Sequence, residues 1–212
     1  MLTVLVIDES RARAGEICAG LALAGYQVAA ILAGADNLTA EVERLQPDVI
    51  LIDTDSPSRD TLENLAAMNK DMPRPVVIFT QEDGRETIRD AVRAGVSAYV
   101  VDGLDPKRIK PIVEVARARF EDTQALRREL QEELGITAQV ERYIASHQRE
   151  VSGRLIHLHA WWVARFSGLP AAHYHRQLRW CTPQEALTFD LAPADIPLLN
   201  AFIAQRAADL PR

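Results

Sequence analysis

The stretch QPDVILIDTDSPSRD, residues 46–60, decides the fold of the N-terminal part of this chain. Its aliphatic run at residues 49–52 has the length and β-branched content of a strand that is buried on both faces. The run stops at Asp53, and a second acid, Asp55, follows two residues later. A buried strand that ends in carboxylates indicates that its carboxyl end lies at the ligand-binding edge of a sheet.

Four further short apolar runs precede and follow this one, and amphipathic segments of helix length lie between them. Parallel strands need such crossover helices, and continuous apolar strands indicate a sheet that is covered on both faces. The sequence therefore predicts an α/β fold with a five-stranded doubly wound parallel sheet in the first half of the chain. The predicted strands are residues 2–7, 26–31, 48–53, 75–80 and 97–101.

The ends of these predicted strands bring acidic and hydroxyl side chains to one edge. Asp8 and Glu9 end the first strand, Asp53 ends the third, and Thr80 ends the fourth. Crowded carboxylates repel one another unless a cation neutralises them, and a cluster of oxygen ligands suits Mg²⁺. We therefore predict a magnesium site at Asp8, Glu9 and Asp53, with the Thr80 hydroxyl close to a transferred phosphoryl group. The alternative is that these acids are common surface residues at strand ends.

Residues 1–120 resemble the receiver domains of bacterial response regulators, which have a flavodoxin-like fold. The resemblance implies that Asp8 and Glu9 hold magnesium and that Asp53 accepts phosphate from a histidine kinase. It also implies that Thr80 responds to the phosphate and that Tyr99, in the fifth strand, is the second switch residue.

Four segments resemble, more narrowly, the nitrate-assimilation antitermination regulators. In that family a coiled coil joins the receiver to an RNA-binding ANTAR domain, and a sensor protein controls the antiterminator. The resemblance implies a sensor protein as one partner and a leader RNA hairpin as another. The segments are DVILIDTDSPSRD, RPVVIFTQED, AGVSAYVVDGL and IVEVARARFEDTQALRREL.

One position departs from the receiver pattern. Receivers carry a lysine followed by a proline after the fifth strand, whereas this chain has Asp102 and Gly103 there. A lysine at that position offsets the charge of the phosphoryl oxygens, and an aspartate adds repulsion. We therefore predict that phosphorylation of Asp53 is weak or dispensable. Docking of a partner on the receiver is the alternative means of control.

The helix after the fifth strand is predicted to continue beyond the length of a receiver. Asp105 suits the N-cap position, and apolar residues recur at a spacing close to 3.5 as far as Leu134. We predict a receiver at residues 1–104, a coiled-coil linker at 105–134 that forms a parallel homodimer, and a third domain at 135–212. A single helix that folds back on its own domain is the alternative.

The C-terminal domain is predicted to be small and all-helical. Apolar residues between positions 137 and 167 recur at spacings of three and four residues, which is typical of an amphipathic helix. Further helices are predicted from residue 170, at a capping box that opens with Thr182, and over residues 193–209.

This domain has a faint likeness to the ANTAR pattern, but the alanine, lysine and glycine of the first ANTAR motif are missing. Arginines outnumber glutamates between residues 137 and 183, and aromatic residues are interleaved with them. Such a composition binds phosphates and stacks on unpaired bases, although arginines also coat ordinary helical bundles. The candidate RNA-binding residues are Arg154, Arg165, Arg176 and Arg179.

The remaining predictions concern function and location. No nucleophile and base typical of a hydrolase can be recognised, so we predict that the chain is not an enzyme. The opening residues do not resemble a signal peptide, and no apolar run reaches the roughly 20 residues of a membrane span. These patterns predict a soluble, cytoplasmic protein without membrane contact. Two functions follow: an antitermination regulator that binds RNA, or a receiver-based protein interaction module that does not bind nucleic acid.

Overall fold

The computed structural model describes residues 1–8, 13–101, 103, 105–174 and 176–209. The chain divides into two compact units, residues 1–123 and 124–212, and the division falls inside one helix. The domain boundaries proposed from the sequence, after residues 104 and 134, stay a prediction.

The N-terminal unit contains a five-stranded parallel sheet in the order β2-β1-β3-β4-β5, which confirms the predicted doubly wound α/β fold. Each predicted strand is present within one or two residues of its expected bounds. The strands are β1 (Thr3–Asp8), β2 (Gln27–Leu32), β3 (Val49–Asp53), β4 (Val76–Thr80) and β5 (Ala98–Val101). The helices are α1 (Ala14–Leu23), α2 (Leu38–Leu45), α3 (Arg59–Asp71), α4 (Arg85–Arg93) and α5 (Ile109–Leu134).

Two apolar clusters cover the two faces of this sheet. Alternate strand residues point to opposite faces, so Val4 and Val6 join one cluster while Leu5 and Ile7 join the other. Helices α1 and α5 pack on the first face, and α2, α3 and α4 pack on the second. Because both faces are buried, the strands show continuous apolar runs instead of an alternating pattern.

Helix α5 is 26 residues long and passes through the division between the units. Ile109, Val113 and Ala116 are fully buried in the core of the N-terminal unit, at the i, i+4, i+7 spacing of one helix face. The predicted linker is thus a continuous helix, and neither a coiled coil nor a homodimer is shown. None of the helices in the described ranges, α5 included, is long and apolar enough to cross a membrane.

The C-terminal unit contains an antiparallel hairpin, and the prediction of a small all-helical domain is wrong. Strands β6 (Thr137–Val151) and β7 (Arg154–Ser167) replace the long predicted helix. No helix is present among the described residues between 168 and 182, so the second predicted helix is also wrong. The Thr182 capping box and the last helix are confirmed, as α6 (Pro183–Ala186) and α7 (Asp195–Asp209).

The hairpin turns at Ser152 and Gly153, which both have positive φ angles, 53° and 76°. A two-residue turn with positive φ at both positions matches the right-handed twist of the flanking strands. The register of the hairpin shifts at three places between Gln139 and Ala145. These irregularities interrupt the period of two, which explains why the apolar spacing suggested a helix.

Helix α7 packs on the hairpin and closes a small core. The rings of Trp162 and Phe202 stack with centroids 5.2 Å apart, and the Gln205 side-chain amide donates to the carbonyl oxygen of Ile144 at 2.8 Å. Large apolar side chains elsewhere in this unit stay exposed, such as Trp180 at 81%. The C-terminal unit therefore buries much less of its apolar surface than the N-terminal unit does.

Candidate functional site

The carboxyl edge of the five-stranded sheet brings two predicted acids together. Asp8 and Asp53 lie side by side in the parallel register of β1 and β3, and they are 0% and 1% exposed. Thr80, at the end of β4, is also buried. Glu9 lies outside the described residues, so the predicted three-carboxylate cluster can be described only for Asp8 and Asp53.

The two predicted switch residues contact the loop that follows β4. The Thr80 hydroxyl donates to the carbonyl oxygen of Asp55 at 2.9 Å and accepts from the Glu82 amide at 3.1 Å. The Tyr99 hydroxyl donates to the carbonyl oxygen of Glu82 at 3.0 Å, and burial raises the pKa of Tyr99. Thr80 and Tyr99 are therefore joined through Glu82. Asp102, which stands where receivers have lysine, lies outside the described residues.

An arginine that was not predicted from the sequence also lies at this edge and pairs with its acids. Arg13 Nε lies 3.0 Å from Asp53 Oδ2, and Arg13 Nη2 lies 3.0 Å from Asp55 Oδ1. A single guanidinium thus joins the buried acid and the exposed acid. The signal in the sequence was an arginine just after the acidic pair, at the start of the first helix, which faces the same edge.

The ionisation of Asp53 reflects opposing effects. Burial raises the pKa of Asp53, the charge of Arg13 opposes this, and the charges of Asp8 and Asp55 add to the increase, so the pKa lies above its ordinary value. For Arg13, burial acts to lower the pKa, but the hydrogen bond to Asp55 and the charges of three carboxylates outweigh it. Arg13 therefore favours the charged form of Asp53.

The raised pKa of Asp53 predicts a pH-dependent stability. The folded chain binds more protons than the unfolded chain between the ordinary pKa of 3.8 and the higher folded value, so stability falls as pH rises through that window. We expect Asp53→Asn, which removes the buried charge and leaves Arg13 paired with Asp55, to raise the melting temperature at pH 7. The gain should shrink as the pH approaches 4.

Thermal unfolding followed by circular dichroism across this pH range measures the effect. Asp83→Asn, the same exchange at an exposed position, is the matched control. A lower melting temperature for Asp53→Asn at pH 7 would contradict the expectation.

The C-terminal unit offers a second acidic group, at the end of α5. Glu129, Glu132 and Glu133 follow the i, i+3, i+4 spacing that places side chains on one helix face. Like charges at this spacing repel, and the C-terminal end of a helix is itself partly negative. The last turn of α5 carries no basic residue. A bound cation would offset the negative charge of these three glutamates.

The backbone around this helix end is closely packed. Gly135 follows α5 with a φ of 69°, and the Ala171 and His173 amides donate to the carbonyl oxygens of Leu134 and Glu133 at 2.9 and 3.1 Å. A Cβ added at Gly168 would lie 2.9 Å from the Gly135 carbonyl oxygen. The chain after β7 therefore fixes the end of the helix that carries the glutamates.

The four candidate RNA-binding arginines do not lie on the predicted helices. Arg154 and Arg165 lie near opposite ends of β7, roughly 36 Å apart at the rise of an extended strand. Arg176 and Arg179 follow β7, and the Arg179 guanidinium lies over the Phe189 ring at 5.0 Å. This placement gives no single compact RNA-binding site for the four arginines.

Two further observations concern binding sites in the described part of the chain. Within it, no three His, Cys, Asp or Glu residues are grouped so that they could hold a metal ion. A cleft of about 240 Å³ lies between the hairpin and α7, and its lining is mostly apolar. The lining residues are Ile144, Ala160, Trp161, Trp162, Leu198, Leu199 and Phe202.

The sheet order and the acidic edge define a receiver, and comparison with known proteins agrees. The chain belongs to the response regulator receiver domain family, whose model matches residues 4–114. A transcriptional regulatory protein of Mycobacterium tuberculosis, PdtaR, is 26% identical over 106 residues, which is 50% of this chain and 52% of that protein. A CheY-like receiver from Methanospirillum hungatei has the same fold, with a TM-score of 0.51 and 22% identity over 58% of this chain and 98% of that chain.

The second half of the chain matches the NUDIX domain model over residues 119–202, and no ANTAR domain is shown. The CTP pyrophosphohydrolase of Escherichia coli K12 is 68% identical over 85 residues, which is 40% of this chain and 63% of that protein. The chain thus spans less than two thirds of the length of PdtaR and of the CTP pyrophosphohydrolase. Our prediction that the chain is not an enzyme is wrong, because this NUDIX match points to a hydrolase.

These matches also bear on the other functional predictions. Response regulator and two-component signalling are supported, and a receiver suggests a histidine kinase as partner. RNA binding and transcription antitermination are not supported, because the predicted effector region matches the NUDIX domain model. Magnesium is consistent with both halves, since receivers and NUDIX hydrolases typically use Mg²⁺.

Proposed function

We propose that this chain is a two-component signalling protein with a phosphorylated receiver and a hydrolytic output domain. A histidine kinase or a small phosphoryl donor modifies Asp53. The C-terminal NUDIX domain hydrolyses a phosphoanhydride bond of a nucleoside triphosphate, with CTP as the first substrate to test. The observation that carries the second part is the 68% identity to a CTP pyrophosphohydrolase.

The receiver part of the proposal rests on the geometry of the acidic edge. Asp53 is a buried carboxylate beside Asp8, and the Thr80 hydroxyl lies at the end of the neighbouring strand. Oxygen ligands of this kind suit Mg²⁺, which retains several waters and uses only one or two carboxylates. Bound Mg²⁺ would neutralise charge on the phosphoryl oxygens. Asp8 and Asp53 would hold the ion, and Thr80 would contact the phosphoryl group after transfer.

The glutamates of α5 are the candidate metal ligands of the hydrolase part. Glu129, Glu132 and Glu133 share one face of a helix whose end is fixed by the segment 171–173. One or two of these carboxylates, together with substrate phosphates and water, satisfy the ligand needs of Mg²⁺. These carboxylates would hold the ion, and the ion would offset charge on the triphosphate while water attacks phosphorus. A new P–O bond forms, the phosphoanhydride bond breaks, and CTP yields CMP and pyrophosphate.

Two assays on the full chain test the two parts. In the first, the protein is incubated with Mg²⁺ and acetyl phosphate, and intact mass spectrometry is expected to show one added phosphoryl group. Asp53→Asn should take up none. Absence of the modification in the wild-type protein would contradict the receiver part.

In the second assay, CTP and Mg²⁺ are added, and CMP and pyrophosphate are measured by ³¹P NMR. We expect both products to appear in equal amounts, with loss of the reaction when a chelator removes the metal. If CTP and the other common nucleoside triphosphates all remain intact, the hydrolase part is wrong.

A further inference from the structure

We propose that Arg13 supplies the positive charge that binds the phosphoryl group on Asp53, in place of the lysine that this chain lacks. This inference rests on the proposed phosphorylation of Asp53. It assigns a function to a residue at the start of α1 that the resemblance to receivers does not include.

The first argument is geometric. Arg13 Nε contacts Asp53 Oδ2 at 3.0 Å, so the guanidinium already lies against the carboxylate that would receive the phosphoryl group. Among the described residues, no other basic side chain forms an ion pair with Asp53. A guanidinium is a planar fork of N–H donors, and it binds phosphate oxygens in pairs.

The second argument concerns access and orientation. Asp53 is 1% exposed on its side chain, whereas Arg13 is 35% exposed and reaches the acid from the surface. Nη2 also contacts Asp55 Oδ1 at 3.0 Å, and Asp55 is 84% exposed. The contact with Asp55 orients the guanidinium at the mouth of the site. An incoming phosphoryl donor would therefore meet the guanidinium before it reaches Asp53.

The third argument is the balance of charge. Phosphorylation turns one carboxylate into an acyl phosphate that carries more negative charge, beside Asp8 and Asp55. Position 102, where receivers have their lysine, is an aspartate and cannot offset that charge. Attraction between a guanidinium and a phosphoryl dianion exceeds that between a guanidinium and a single carboxylate at the same distance. Arg13 therefore gains more from the phosphorylated state than from the unmodified one.

The phosphoryl transfer requires no proton from Arg13. A carboxylate oxygen of Asp53 attacks the phosphorus of acetyl phosphate, a P–O bond forms, and acetate leaves with the electron pair of the broken P–O bond. Arg13 keeps its protons throughout and offsets charge on the three phosphoryl oxygens. The prediction from Asp102, that phosphorylation of Asp53 is weak or dispensable, is the alternative that the same assay tests.

The test compares full-length variants in the acetyl phosphate assay. We expect Arg13→Met to slow uptake of the phosphoryl group at least tenfold. Arg13→Lys, which keeps the charge and loses the fork, should fall between Arg13→Met and the wild type. Arg59→Met is the matched control, because Arg59 forms an exposed ion pair with Glu63 on α3. Circular dichroism of each variant verifies that the receiver is folded.

The outcomes separate this inference from the proposed function. If the wild-type protein takes up no phosphoryl group, phosphorylation of Asp53 is refuted, and the role of Arg13 with it. If the wild type is modified and Arg13→Met is modified equally fast, only the role of Arg13 is refuted. Faster uptake of the phosphoryl group by Arg13→Met would show that the guanidinium blocks Asp53, and would also refute the proposed role of Arg13.

Discussion

The Phe79→Ala variant is expected to lose about 3–5 kcal/mol of receiver stability, which is the usual cost of removing a buried phenyl ring. Phe79 is fully buried in β4, opposite Asp53 on one side and Val100 on the other. Its ring belongs to the apolar cluster under α1 and α5, which also contains Ile17 and Val113. Since small domains are stable by only about 5–15 kcal/mol, this loss would leave the receiver close to unfolding.

Urea unfolding of the full chain provides the measurement. All three tryptophans lie in the C-terminal unit: Trp161, Trp162 and Trp180. Their fluorescence therefore follows the unfolding of that unit, whereas far-ultraviolet circular dichroism follows the unfolding of both units. The Phe79→Ala variant should shift the circular dichroism midpoint and leave the tryptophan midpoint in place. Leu23→Ala, at an 85% exposed position, is the control. Equal circular dichroism midpoints for Phe79→Ala and Leu23→Ala would contradict the packing described for Phe79.

The second large effect is expected at the end of α5. At least one of the variants Glu129→Gln, Glu132→Gln and Glu133→Gln should lower magnesium-dependent hydrolysis of CTP at least about 10²-fold, because the amide keeps the shape of the side chain and loses the charge that attracts the cation. Such a loss corresponds to roughly 3 kcal/mol of transition-state stabilisation. The expectation depends on the hydrolytic activity proposed for the NUDIX domain.

The matched control for these three variants is Glu121→Gln. Glu121 lies on the same helix, is exposed, and pairs with Arg117. Initial rates of pyrophosphate release at several magnesium concentrations distinguish weaker metal binding from a slower chemical step, since the former is restored by excess metal. Wild-type rates in all three glutamine variants would exclude these glutamates from the site.

The receiver could be predicted from the sequence because its signals are local. Each strand is a short continuous apolar run, and Asp8, Asp53 and Thr80 each stand at the end of such a run. The rule that parallel strands present their carboxyl ends at one edge then places these residues together. The ion pair of Arg13 with Asp53 could not be found in this way, because it depends on the reach of a long side chain across the fold.

The C-terminal unit could not be predicted because two patterns compete in its sequence. Register shifts in β6 disturb the alternation of a strand and leave a spacing of three and four residues, which resembles a helix. Gly153 was the available signal, since a glycine in the middle of a helix is unfavourable and a Ser-Gly pair suits a hairpin turn. The glutamates of α5 were overlooked because acids on an exposed helix face usually interact only with water.

The close approach of Gly168 to Gly135 limits which residues can replace these two glycines. A Cβ at Gly135 would lie 3.0 Å from the His173 imidazole, and one at Gly168 would lie 2.9 Å from the Gly135 carbonyl oxygen, while both glycines have positive φ angles. In a library that varies every position and selects for folded protein, both sites should retain glycine almost exclusively. Gly15, which has open space around its Cβ position, should accept alanine freely.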